Sequence, residues 1–254
     1  MKLTGNTIFI TGGGSGIGRG LAEALHKLGN KVIISGRRKA NLDGVVNANP
    51  GIDSIELDIT DPASIHEVAG KLIAKYPDLN VLINNAGIME IDQAAGVIDE
   101  SLLTRTVNTN LLGPIRLTSA LIEQLKSRGG TVAYNTSILA FVPLTFTAVY
   151  SATKAALHSY VLSQRFLLRE SGVRVLEIAP PWVRTTLMNS EEAEKAMPLD
   201  EFINETIKVL ELGSDEVLVD IAKPFRDNPG PKEHAFVNSF NQQMLELFSE
   251  PAAK

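Results

Sequence analysis

Residues 7–18 read Thr7-Ile8-Phe9-Ile10-Thr11-Gly12-Gly13-Gly14-Ser15-Gly16-Ile17-Gly18. An apolar run of strand length passes directly into a glycine-rich turn. Ile17, Leu21, Ala24, Leu25 and Leu28 then recur at helical spacing over residues 16–28. Strand, tight turn and helix in that order are the context that gives a glycine string meaning. Gly12, Gly16 and Gly18 let the backbone turn sharply and approach a ligand with no Cβ in the way. The first turn of the helix, around Ser15 and Ile17, aims free N–H groups and its positive dipole end at the same point, which suits a pyrophosphate.

Working outward, the alternation continues. Apolar runs at 31–35, 54–57, 80–84, 130–136 and 173–179 are separated by helical stretches at 61–76, 100–126 and 150–171, the first of these opening on Asp61-Pro62. Short apolar runs joined by helical crossovers imply a parallel sheet with helices on both faces. The expected fold is therefore a single α/β domain over residues 1–254, Rossmann-like and doubly wound around a mostly parallel sheet. The acidic segment after Thr185, with Glu191, Glu192 and Glu194, reads as a substrate lid around 185–210. Phe202, Ile203, Thr206, Ile207, Val209 and Leu210 form a helical apolar face, and 216–219 reads as a last strand. Residues 223–232, with three prolines and one glycine, read as irregular. Phe236, Phe240, Met244, Leu245 and Phe248 mark a C-terminal helical extension around 233–249.

Composition narrows the classes of function. Of 254 residues, 44 % are hydrophobic and 21 % charged, which excludes global disorder. A net charge of −5 and the lack of a basic stripe argue against a nucleic-acid partner. The chain contains no cysteine, so disulfides, thiolate metal sites and a cysteine nucleophile are impossible, and a cytoplasmic setting fits. The run Ile8–Ile10 is too short for a signal-peptide core. Residues 129–153 carry no charge, but five Thr, two Ser, Asn135 and Pro143 make that stretch a poor membrane span. His26, His66, His158 and His234 lack ligand spacing, so no metal site is expected.

Four further motifs join the glycine turn. They are Asn84-Asn85-Ala86-Gly87 at the end of the fourth run, Tyr150-Ser151-Ala152-Thr153-Lys154, Ser137 thirteen residues before Tyr150, and Pro180-Pro181-Trp182-Val183-Arg184-Thr185 after the sixth run. Together with the T-G-x-x-x-G-x-G spacing, they resemble the short-chain dehydrogenase/reductase family over nearly the whole chain. The stretches 139–144 and 155–160 and the Pro-Pro pair look like its DltE-like branch. Proline at 181 replaces the family's glycine and removes a backbone N–H.

Tyr150 and Lys154 share a helix face. An ammonium beside a phenol favours the phenolate, which brings its proton within reach of neutral-pH chemistry. Ser137, at the carboxyl edge of the sheet, is placed to hold a carbonyl oxygen. No glycine-flanked elbow surrounds Ser137, so a hydrolase reading fails. The resemblance implies a catalytic Asn within residues 100–126. Asn108 and Asn110 are the candidates, and Gly113, three residues on, selects Asn110 by the family pattern. The implied activity is hydride transfer between a nicotinamide dinucleotide and a carbonyl or secondary alcohol.

The second run ends Ser35-Gly36-Arg37-Arg38, without the acid that binds ribose hydroxyls in NAD-specific folds. Arg37, with Ser35 and Arg38, suits a 2′-phosphate, so NADP(H) is expected, with NAD(H) as runner-up. By resemblance, Asp58 and Ile59 face the adenine, Asn85, Ala86 and Gly87 the ribose, and Pro180, Val183 and Thr185 the carboxamide side. Phe141, Leu144, Trp182, Leu187 and Met188 are the expected substrate wall, suited to a hydrophobic ketone or aldehyde. The family implies a homodimer or homotetramer built on the helices at 100–126 and 150–171. The competing readings are an NAD(H)-linked alcohol dehydrogenase or epimerase on the same scaffold, and a dinucleotide sensor without turnover.

Overall fold

The computed structural model describes residues 2–228, 230 and 232–249. In chain order the elements are β1 (Thr7–Thr11), α1 (Gly16–Lys27), β2 (Lys31–Gly36), α2 (Lys39–Ala48), β3 (Asp53–Glu56), α3 (Pro62–Lys75), β4 (Leu79–Asn84), α4 (Glu100–Val107) and α5 (Gly113–Ser127). There follow β5 (Thr131–Asn135), α6 (Ala148–Leu168), β6 (Arg174–Ile178), α7 (Leu199–Glu211), β7 (Glu216–Val217), α8 (Lys223–Arg226) and α9 (Glu233–Ser249).

The strands form one sheet in the order β3-β2-β1-β4-β5-β6-β7, with every pairing parallel. The chain starts in the middle, winds outward to β3, then returns to β4 and winds the other way. That reversal leaves a crevice beyond the carboxyl ends of β1 and β4, where doubly wound sheets bind their ligands. Both faces of the sheet are covered. Ile8, Ile10 and Ile34 face Leu21, Leu25 and Phe202 on one side, while Phe9, Ile33 and Leu82 face Leu72, Leu121 and Leu157 on the other. Side chains alternate between two dry faces, so the strands read as continuous apolar runs.

Several boundaries depart from the sequence expectation. The helix expected over 100–126 is divided by a π-helical turn at Asn108–Leu112. Helix α2 follows Arg38, where no separate helix was marked. Residues 223–226 are helical rather than irregular, because Pro224 falls in the first turn, where its missing N–H costs nothing. The last strand shrinks to two residues. Asp61 behaves as its sequence position suggests: its carboxylate caps α3 by accepting from Ala63 N at 2.9 Å. No helix among the described residues is long and apolar enough to cross a membrane.

Candidate active site

The crevice is lined first by backbone. Gly12 sits at φ +67°, and a Cβ there would lie 3.0 Å from Ala86 Cα. A Cβ on Gly18 would lie 2.4 Å from Gly12 O, so the first turn of α1 packs directly on the loop beneath it. Ser15 is the N-cap of α1, yet its side chain makes no capping hydrogen bond. Its hydroxyl and the N–H groups of Gly16, Ile17 and Gly18 are thus left for an anion. This cradle, which side chains would fill, fits a dinucleotide diphosphate.

Thr11, which opens the T-G-x-x-x-G-x-G turn, ties the cradle to β4. Its hydroxyl accepts from Asn85 N at 2.9 Å and Ala86 N at 3.0 Å, and Asn85 Nδ2 donates to Thr11 O at 2.9 Å. At the far end of β2, Arg37 and Arg38 are exposed, and their side chains make no hydrogen bond or ion pair among the described residues. Asp58 lies within reach of the Arg37 charge. Burial pushes the Asp58 carboxyl up, but hydrogen bonds from the Thr60 N–H and hydroxyl, with Arg37, hold it below its usual value. Ile59 is buried in the core beside it. The Ser35 side chain is 0 % exposed, and its hydroxyl finds no partner within the described residues.

The second set of residues comes from β5, α6 and the π turn. Tyr150, Lys154, Ser137 and Asn110 are all buried. Lys154 Nζ donates to Asn135 O at 2.8 Å and stands 5.5 Å from the centroid of the Tyr150 ring. Asn135 Nδ2 in turn donates to Asn85 Oδ1 at 2.7 Å, which links this cluster to the cradle. Ser137 Oγ accepts from Leu139 N at 3.1 Å. That bond uses a lone pair and leaves the hydroxyl proton free to donate. The extra residue of the π turn swings Asn110 inward. Its amide accepts from Ile88 N at 2.9 Å and donates to Ile88 O at 2.8 Å, with Thr153 Oγ1 at 3.3 Å. A Cβ on Gly87 would lie 3.3 Å from Asn110 Oδ1 and 3.7 Å from Lys154 Nζ, so both groups converge on that glycine. Asn108 stays half-buried outside this set.

The electrostatics overturn one expectation. Burial pushes the Tyr150 hydroxyl up to about 12, against a smaller downward pull from Ser137. Burial also brings Lys154 down to about 8, with Glu177 pulling it back upward. Desolvation therefore dominates, and the Tyr150 hydroxyl keeps its proton at neutral pH.

The third side is irregular. Thr185 is buried, and the Gly16 turn lies against it: a Cβ on Gly16 would be 3.3 Å from Thr185 Cβ. Val183 is buried and pairs with Met197, and Pro180 O accepts from Ile138 N at 3.0 Å. Within 183–197, Ser190 Oγ donates toward Val183 O, Thr185 O and Leu187 O, while Arg184 Nε donates to Ala193 O and Ala196 O. Met188 and Asn189 adopt φ of 57° and 51°, unusual for residues with a Cβ. The expected lid at 185–210 thus divides: 185–198 is the loop, whereas α7 buries Phe202, Ile203, Thr206 and Leu210, with Ile203 against Gly20 of α1.

Of the expected substrate wall, Phe141 and Leu144 line one cavity, together with Leu139, Ala140 and Ala152. Phe141 is 6 % exposed, with its ring edge-to-face on His158 at 5.0 Å and beneath Arg226 at 5.2 Å. It packs with Val142 and Ala179 and also lines that cavity. Leu144 is buried in the main core. Leu187 remains exposed and Met188 half-buried. Trp182 instead meets Phe248 at 5.6 Å, and Phe248 meets Phe146 at 5.3 Å. Asn241 of α9 pins the loop between β5 and α6, accepting from Thr145 N at 2.7 Å and donating to Pro143 O at 3.0 Å. No cluster of metal-ligating side chains occurs among the described residues, and the His234 side chain lies outside them.

The family profile for short chain dehydrogenases matches residues 6–196, which include the glycine turn, Asn110, Ser137, Tyr150 and Lys154. The chain belongs to the short-chain dehydrogenase family. Within this family of oxidoreductases it is 36 % identical over 234 residues to the uncharacterized oxidoreductase DltE of Bacillus subtilis (strain 168), covering 89 % of this chain and 93 % of that one. Among solved structures, a short-chain dehydrogenase from Burkholderia cenocepacia J2315 in complex with NADP superposes with a TM-score of 0.82 at 28 % identity, covering 93 % of this chain and 97 % of that one. A 3-ketoacyl-(acyl-carrier-protein) reductase from Brucella melitensis complexed with NADH gives 0.75 at 26 % identity, covering 80 % and 89 %. The short-chain dehydrogenase fold binds a nicotinamide dinucleotide, which agrees with the cradle at Gly12–Gly18.

Proposed function

We propose that this dehydrogenase reduces a hydrophobic ketone or aldehyde with NADPH, using Tyr150 as the general acid. The observation that carries the reading is the burial of Tyr150 beside Ser137 and Lys154, which keeps its proton on the phenol. NADPH, when bound, supplies a hydride for the carbonyl carbon. Ser137, its hydroxyl proton free, holds the carbonyl oxygen. Tyr150 donates the proton that the oxygen needs, and Lys154 stabilises the phenolate left behind. Asn110, clamped on Ile88, orders the wall beneath Lys154. The aromatic group Phe146, Trp182 and Phe248 supports an apolar substrate. A dinucleotide sensor has no need of the buried Ser137, Tyr150 and Lys154 set, so that reading is set aside.

NADP(H) is favoured over NAD(H) because two unpaired arginines stand at the end of β2, where an acid would repel the 2′-phosphate. The Burkholderia structure in complex with NADP agrees, and the Brucella reductase with NADH keeps NAD(H) as the second reading. The exposed face of α6, with Ala152, Ala156, Leu162, Phe166 and Leu167, suits a second copy of this chain, giving a cytoplasmic homodimer or homotetramer. The test is a fluorescence titration with NADPH and NADH, read from Trp182, the only tryptophan. NADPH should bind at least about tenfold more tightly, or about 1.4 kcal/mol, and Arg37→Glu should erase the difference. Equal binding in the native chain would move the reading to NAD(H).

A further inference from the structure

Strand β6 runs Arg174-Val175-Leu176-Glu177-Ile178, with an acid in the middle of a core strand. Glu177 is 1 % exposed. A buried carboxylate is costly unless charge and hydrogen bonds compensate it. Two side chains hold it: the Thr136 hydroxyl donates to Oε1 at 2.7 Å, and His158 Nδ1 lies 2.8 Å from Oε2.

Both partners lead back to the reacting groups. Thr136 lies between Ser137 and Asn135, whose carbonyl accepts from Lys154 Nζ. His158 follows Lys154 by one turn of α6. The carboxylate and the ammonium are thus joined through a single peptide unit and a single helical turn. Where burial draws Lys154 toward its neutral form, Glu177 draws it back toward the charged one.

The other charged and titratable groups around the cluster have partners of their own. Arg226 of α8 pairs with Glu216 of β7 at 2.9 and 3.0 Å. Arg165 of α6 donates to Val175 O and Asp215 O, and the Asp215 carboxylate pairs with Arg174. Tyr134, opposite Glu177 in the ladder, bonds Thr118 and Gln164. Among the described residues, only Thr136 and His158 hydrogen-bond the Glu177 side chain.

We propose that Glu177, fixed by Thr136 and His158, is a positioning residue: the buried counter-charge that keeps Lys154 an ammonium and so sets how far into alkaline pH Tyr150 works. This rests on the roles proposed above for Tyr150 and Lys154. The test follows the Lys154 Nζ resonance against pH in the full chain labelled with [15N]lysine, assigned by its loss in Lys154→Met. Glu177→Gln should move the midpoint about one pH unit or more to lower pH. The alkaline limb of NADPH-dependent reduction of a substituted benzaldehyde should move down with it. A merely structural Glu177 would lower kcat at every pH and leave the midpoint in place. If Glu177→Gln does not fold, the double variant Glu177→Leu with His158→Leu replaces the pair by apolar groups, and the same shift is expected. An unmoved midpoint in a folded variant of either kind overturns the proposal. A shifted midpoint with a native rate profile upholds the coupling and overturns the role of Lys154 instead.

Discussion

On the dinucleotide side of the cleft, backbone atoms do the shaping: Gly12 at φ +67°, Gly18 against Gly12 O, and Thr11 fastening Asn85 and Ala86. On the side proposed to take the substrate, Phe146, Trp182 and Phe248 meet from three separate stretches, and Asn241 ties the last stretch to the first. Backbone shape admits few residues at each position, whereas an apolar wall admits many. The first side is therefore demanding in sequence and common to the family. The second is free to vary, and it is where members of one scaffold diverge in substrate.

The largest effects should separate the two sides cleanly. Tyr150→Phe should lower kcat by about 10²–10⁴ while NADPH still binds. Gly12→Val forces a branched side chain into a left-handed backbone and against Ala86, and should weaken NADPH by about a hundredfold. Thermal melts should stay near native for the first variant. If Gly12→Val binds NADPH normally, the backbone account of the cradle fails.

Phe248→Ala probes the other side, with a smaller effect. The ring is half exposed and touches only the aromatic wall among the aromatic groups, so its loss removes about 0.5–1.5 kcal/mol of contact. KM for a bulky aryl ketone should rise about threefold to tenfold, with kcat and NADPH affinity held. A change in NADPH affinity alone would mean that α9 serves the dinucleotide side.

The same contrast decides what could be read before the fold was known. The glycine turn, the Asn84–Gly87 loop and the Tyr150/Lys154 pair were legible because each needs a particular residue type at a particular spacing. The π turn at Asn110 was not, since one extra residue leaves the apolar periodicity of residues 100–126 intact. The phenol of Tyr150 was expected to be lowered by Lys154. The depth of burial, which sequence does not state, raises it instead.

That burial gives the smallest effect and a direct measure of what the site costs the fold. With its pKa brought from 10.5 down to about 8, a charged Lys154 is less favourable inside the protein than in the unfolded chain by about 3 kcal/mol. Lys154→Met fills the space with an unbranched apolar chain and removes that cost. It also leaves Asn135 O without its donor, which returns about 1 kcal/mol. The variant should be inactive yet about 1–2 kcal/mol more stable to urea at pH 7. The unfolded chain binds more protons than the folded one between pH 8 and 10.5, so native stability rises with pH across that window. The advantage of Lys154→Met should therefore be full below pH 8 and gone by 10.5. A Lys154→Met chain no more stable than the native at pH 7 would mean that its charge is compensated in the folded state, with Glu177 offsetting the burial in full.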